Sequence, residues 1–93
     1  MKLAQLFSSY MHFKMGEEPM REITGLTLDS RSAGSGQIFF AIRGHVLDGH
    51  DFLADVCGQG VAGVVVEDEK KVPPEYRGGI LVVPDSREAL VKL

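Results

Sequence analysis

The chain has 93 residues, enough for one small domain and too few for the several domains of a multi-substrate enzyme. Hydrophobic residues at 44% and charged residues at 25% are ordinary globular proportions, which excludes a disordered or fibrous chain. Ten Lys and Arg against thirteen Asp and Glu leave a net charge of -3, which offers no basic footprint for nucleic acid.

One Cys cannot close an internal disulfide, no apolar run nears the roughly 18 residues of a membrane span, and the start MKLAQLFSSYMHF lacks the sustained apolar core of a signal peptide. The expectation is a soluble protein of the reducing cytoplasm, with neither nucleic acid nor membrane as partner.

From Lys2 to Met11, the residues Leu3, Leu6, Phe7 and Tyr10 fall at i, i+3, i+4 and i+7, which predicts a short amphipathic helix. Gly16 and Pro19 break that pattern. Ile23 to Leu28 brings β-branched residues and predicts a first strand ending near Leu28. A polar, glycine-dense loop, Asp29 to Gly36, leads to Ile38-Phe39-Phe40-Ala41-Ile42, whose unbroken apolar run predicts a strand buried on both faces.

A second loop, Arg43 to His50, precedes a helical stripe of Phe52, Leu53, Val56 and Cys57, closed by Gly60 in a left-handed conformation. Val61 to Val66 is the strongest strand signal, and after so short a turn it implies a parallel βαβ crossover. Glu67 to Gly79, with Pro73 and Pro74, reads as an exposed excursion before the strand Ile80 to Val83. Asp85 and Glu88 have the form of a capping box opening a helix through Ala89, Leu90 and Leu93. The expected fold class is therefore α/β: a small, mostly parallel or mixed sheet with flanking helices, forming one domain over residues 1–93.

Two loops follow successive strands, and open α/β sheets bind ligands outside the carboxyl ends of their strands. Asp29, Ser30 and Arg31 offer an acceptor, a hydroxyl and a forked cation suited to a hydroxylated, phosphorylated ligand, although the same residues suit a turn whose side chains bond its own backbone. In the second loop His45, Asp48, His50 and Asp51 lie within seven residues. A zinc site would want three or four convergent ligands at a familiar spacing, so ligand contact by His45 ranks above metal binding, with a solvated loop histidine as an equal alternative, and Asp48 to Asp51 suit a turn and a helix cap, His50 or Asp51 supplying the cap. Cys57 reads as a small buried hydrophobe and Glu67 to Lys71 as a solvated strand end.

The strings Leu28-Asp29-Ser30-Arg31, Gly36 to His45, Asp48-Gly49-His50-Asp51-Phe52 and Gly60 to Glu67 together resemble the N-terminal domain of Mur ligases, over about Glu22 to Leu90. Gly44-His45 ahead of Asp48-Gly49, with Val83 to Leu90, looks most like the type that acts on UDP-N-acetylmuramoyl-L-alanyl-D-glutamate (MurE type), and the D-alanyl-D-alanine-adding MurF type is the near alternative.

The resemblance implies a cytoplasmic, ATP-dependent amide ligase of peptidoglycan synthesis, whose first domain holds the UDP end of a UDP-N-acetylmuramoyl-dipeptide. It assigns the uridine diphosphate contacts to Leu28, Ser30, His45, Val46 and Leu47, with no catalytic residue and no metal ligand here. ATP and magnesium belong, by the same resemblance, to central and C-terminal partner domains beginning with a Thr-Gly-Thr-Asn-Gly-Lys-Thr type loop beyond residue 93. Residues 1–93 alone are expected to be inactive and without cofactor. The rival expectations are a free-standing nucleotide-binding module and an interaction domain that has lost its ligand.

Overall fold

The computed structural model describes residues 1–10 and 12–92. Its elements run, in order, α1 (Leu3–Phe7), β1 (Phe13–Lys14), β2 (Gly25–Thr27), β3 (Gln37–Phe40), a 3-10 turn (Gly49–Phe52) continuing into α2 (Leu53–Cys57), β4 (Gly63–Val66), a second 3-10 turn (Glu69–Lys71), β5 (Gly79–Val82) and α3 (Ser86–Lys92). The five strands form one mixed sheet in the order β1-β5-β4-β3-β2. β2, β3, β4 and β5 are parallel and β1 pairs antiparallel with β5. The α/β class, the mostly parallel, mixed sheet and the βαβ unit from β3 through α2 to β4 are as the sequence predicts.

Alternation along the strands sorts the core into two layers, because successive side chains of a strand point to opposite faces. Ile38, Phe40, Val65, Leu81 and Val83 pack on one side with Leu3, Leu6 and Phe7 of α1 and Ala89 of α3. Phe39, Ala41, Val64, Val66 and Ile80 pack on the other with Leu53 and Val56 of α2. This is why β3 and β4 read as unbroken apolar runs: helices cover both faces.

Three expectations need correction. The first helix ends at Phe7, capped by the Ser8 amide on Ala4 O, short of the predicted end at Met11; Met11, and Leu93 that the sequence predicts for the last helix, lie outside the described residues. The strand β1 carries no periodic signal and forms because the open edge of β5 offers backbone partners to Phe13 and Lys14. Glu67 to Gly79 is not a bare excursion: Val72 is buried, and the Tyr76 hydroxyl donates to Val61 O at 3.0 Å. Burial is the first cause that drives the Tyr76 phenol well above its ordinary range, as it pushes the Cys57 thiol up to about 11 with help from the Glu75 charge.

Glycines differ sharply in their surroundings. A Cβ on Gly25, in the edge strand β2, would meet nothing within 4 Å, and its φ is not in the left-handed region. Gly25→Ala is expected to stabilise the fold by roughly 0.5 kcal/mol, by restricting the unfolded chain. A rise in the urea midpoint at unchanged slope checks it.

Candidate functional site

The parallel strands deliver four loops to one edge of the sheet: Leu28–Arg31 after β2, Arg43–Asp48 after β3, Glu67–Asp68 after β4 and Pro84–Asp85 after β5. A crevice of about 530 Å³ opens between the first two, lined by Leu28, Asp29, Ser30, Arg31, Leu47 and Phe52 over a floor of Phe40 and Ile42. A larger concavity of about 740 Å³ lies elsewhere, over the second 3-10 turn and Pro73–Arg77, where Lys14 and Glu69 pair with one another. The smaller crevice is the candidate site, because it stands at the carboxyl ends of adjacent parallel strands.

The first wall is a self-closed turn. Asp29 Oδ1 accepts from the Arg31 amide at 2.9 Å and from Arg31 Nε at 3.2 Å, and the Ser32 amide donates to Asp29 O. The Arg31 guanidinium holds the Asp29 carboxyl below the usual carboxylate range, aided by the Arg31 amide. Arg31 is 90% exposed, so the pair shapes the turn and adds little to stability. Gln59 Nε2 donates to Ser30 O at 2.9 Å and to Ala33 O at 2.7 Å, fastening the turn to the end of α2. Ser30 is among the crevice-lining residues, and its hydroxyl has no protein partner among the described residues.

The second wall is a hairpin-like loop. Gly44 N donates to Leu47 O at 2.8 Å, Gly49 N donates to Ile42 O at 2.8 Å, and Arg43 and Asp48 form an antiparallel bridge. Of the five residues assigned to uridine diphosphate by resemblance, Leu28, Ser30 and Leu47 line the crevice together. His45 and Val46 stand at the exposed loop tip, outside that lining, with Val46 93% exposed.

The cap of the 3-10 turn is Asp48, which accepts from the His50 amide at 2.9 Å. Asp51, expected as a cap, lies exposed in the first turn instead, and His50 is not a cap but a buried imidazole. Its Nδ1 is 2.7 Å from Asp48 Oδ1, and its Nε2 accepts from the Glu67 amide at 3.0 Å, so the proton is on Nδ1. With both nitrogens engaged, this ring has no lone pair to give a metal. Burial raises the Asp48 carboxyl, but the amide and ring of His50 together outweigh it and hold Asp48 below its ordinary value, with Lys71 adding a smaller pull.

Sequence reasoning missed Glu67 and Ser86. Glu67, far from being a solvated strand end, has a side chain only 17% exposed: Oε2 accepts from the Ser86 amide at 2.8 Å and Oε1 is 3.5 Å from Arg43 Nε. The fully buried Ser86 hydroxyl lies 2.8 Å from Ala41 O and 2.9 Å from Glu67 Oε2. Asp85 caps α3 as predicted, its Oδ1 accepting from the amides of Arg87 and Glu88. The reciprocal half of the box gives way to a Glu88–Lys92 ion pair along the helix. The only sequence signal for Glu67 and Ser86 was their place just after β4 and β5.

Among the described residues no three His, Cys, Asp or Glu side chains are grouped to hold a metal ion. The sequence also has no Gly-x-x-x-x-Gly-Lys phosphate loop. The described residues therefore do not fit a magnesium-nucleotide centre. No helix is long and apolar enough to cross a membrane among the described residues.

The family model described as "Mur ligase family, catalytic domain" matches residues 22–93. The "UDP-N-acetylmuramoyl-L-alanyl-D-glutamate--2,6-diaminopimelate ligase" of Halalkalibacterium halodurans is 35% identical over 92 residues, 99% of this chain and 18% of that protein. The enzyme of the same name from Geobacter sulfurreducens is 51% identical over 53 residues, 57% of this chain and 10% of its own length. A crystal structure of MurF from Acinetobacter baumannii superposes with a TM-score of 0.71 at 34% identity, covering 95% of this chain and 18% of that one. The chain thus spans between 10% and 18% of the length of these relatives. With a five-stranded mixed sheet that superposes on such a ligase and a family match over most of its length, the chain belongs to the Mur ligase family.

Proposed function

We propose that this chain is the UDP-anchoring domain of a cytoplasmic, ATP-dependent peptidoglycan ligase of the MurE type, holding the uridine diphosphate of UDP-N-acetylmuramoyl-L-alanyl-D-glutamate. The observation that carries the reading is the crevice itself, where the ends of two adjacent parallel strands bring Leu28, Ser30 and Leu47 around one space of about 530 Å³, a size suited to a nucleotide-sized ligand. The curated relatives named above favour the MurE type, and the likeness to MurF supports the D-alanyl-D-alanine-adding ligase as a second reading.

In this reading Leu28 and Leu47 give apolar contact to the planar base and the Ser30 hydroxyl bonds a ligand oxygen. His45 and Val46 close over the ligand from the loop tip. None of these groups makes or breaks a bond. Their contribution is binding energy at the non-reacting end of a long substrate, which orients its carboxylate for chemistry in the partner domains of the parent enzyme. ATP and magnesium act there and not on these residues.

An NMR titration with UDP tests the reading. Shifts are expected to cluster at Leu28–Arg31 and Gly44–Asp48, with a dissociation constant of roughly micromolar to millimolar, because much of the substrate finds no contact here and the loop tip must be ordered. ATP is expected to bind worse than UDP. Ser30→Ala is expected to weaken UDP by about 1–2 kcal/mol through a lost hydrogen bond. Shifts scattered over the surface, or equal saturation by any nucleotide, would overturn the anchoring role in favour of an interaction domain.

A further inference from the structure

The exposed loop that carries His45, Val46 and Leu47 has one hydrogen bond of its own between Gly44 and Leu47, so its shape has to be imposed from its base. Both legs of that base run into the same pair of residues. The incoming leg ends at Ala41, whose carbonyl is 2.8 Å from the Ser86 hydroxyl. The outgoing leg ends at Asp48, whose Oδ1 receives the amide and Nδ1 of His50 at 2.9 and 2.7 Å. The other ring nitrogen accepts the Glu67 amide at 3.0 Å, and Glu67 Oε2 accepts the Ser86 amide at 2.8 Å. Arg43 Nε closes the figure, 3.5 Å from Glu67 Oε1 and 3.8 Å from Asp48 Oδ2.

We infer that His50, bridging Asp48 to the Glu67 amide, is a positioning residue that sets the conformation of the Gly44–Leu47 tip toward the crevice. The inference rests on the proposed ligand reading for its functional consequence, and on the hydrogen-bond geometry alone for its structural one. The imidazole suits the task because it is a rigid ring with a donor at one corner and an acceptor at another, and here each corner is used. Its side chain has no solvent exposure, so water does not substitute when one bond is lost. A ring that only filled space would need neither polarity. The chain instead spends both nitrogens on tying Asp48 to the end of β4, where Glu67 is in turn held by Ser86.

Two substitutions divide the ring. His50→Gln reaches the Nε2 position and keeps an acceptor for the Glu67 amide while losing the donor to Asp48. His50→Asn keeps an amide donor near the Nδ1 position while losing the acceptor for Glu67. A third substitution, Leu3→Val, lowers stability from a buried site in α1, beside Gly79 at the amino end of β5 and away from the loop.

Hydrogen exchange is followed at Gly44 and Gly49, whose amides close the loop, together with UDP affinity by NMR. His50→Gln is expected to speed exchange at both glycines about tenfold and to weaken UDP about fivefold, the size of one buried hydrogen bond. His50→Asn is expected to change both at least as much, because it cuts the tie to the Glu67 amide, and Leu3→Val to change neither, even where all three lower the thermal midpoint alike. Wild-type exchange at Gly44 and Gly49 in His50→Gln would overturn the positioning role, as would equal effects of Leu3→Val. If wild-type protein binds no UDP, the ligand reading fails, and the exchange measurement still decides whether His50 sets the loop.

Discussion

Phe7→Ala is expected to lower the stability of the fold by about 3–5 kcal/mol, the range found when a fully buried aromatic ring is truncated and the site cannot collapse. Phe7 has no exposed surface and sits in the layer that joins α1 to β3, β4 and β5. Its ring lies over two glycines at strand starts: a Cβ on Gly63 would be 3.3 Å from Phe7 Cζ, and one on Gly79 would be 2.8 Å from Phe7 Cε2. The bare backbone at those positions is what lets the helix dock so close, and the glycines themselves have no side chain to move into the hole. The ring also meets Phe13 of β1, with centroids 6.1 Å apart and planes tilted by 56°, so the loss reaches the antiparallel edge strand.

Urea denaturation measures the effect, and a loss under about 1 kcal/mol would mean that α1 is not part of the cooperative core. A double-mutant cycle sharpens it. Gly79→Ala should cost more in the wild type than in the Phe7→Ala background, because truncation removes the atom its Cβ would strike.

The same two residue types show what was readable in the sequence. Leu3, Leu6 and Phe7 announced the helix because their spacing is a local property, and Ile38 to Ala41 and Val61 to Val66 announced buried strands because both faces of a parallel sheet are covered. That Gly63 and Gly79 form the floor under Phe7 could not be read, since the contact joins residues more than fifty positions apart. The candidate site divides in the same way. Leu28 and Ser30 were legible as the end of a strand followed by a polar turn, and Leu47 as part of the next such loop. The separation of His45 and Val46 from the crevice lining depends on the tight Ile42–Gly49 closure, which only the folded loop displays. Glu67 and Ser86, 19 positions apart, looked like a charged strand end and a helix start, and their pairing is a product of parallel strands lying side by side.

Gly49→Ala is expected to be the most damaging single-methyl change at the site, costing about 2–3 kcal/mol in stability, toward the upper end of what overpacking a tight contact costs. Its φ is not in the left-handed region, so the argument is one of space alone. A Cβ there would fall 2.8 Å from Ile42 N, 3.0 Å from Ala41 Cα and 3.2 Å from Ala41 C, all backbone atoms at the end of β3 that cannot rotate aside as a flexible side chain would. The outgoing leg of the loop must then move away from the incoming one, which lengthens the Gly49 N to Ile42 O hydrogen bond and draws Asp48 and His50 off their partners. Gly49 also lines the crevice, so the added methyl narrows the proposed ligand space directly. The contrast with Gly25→Ala, where a Cβ meets nothing within 4 Å, isolates the cause, because both substitutions restrict the unfolded chain alike and differ only in the folded contact. Denaturation of the two variants side by side measures it: a fall for Gly49→Ala beside no loss for Gly25→Ala is the expected pair, and equal stabilities would mean that the two legs of the loop are free to separate at no cost.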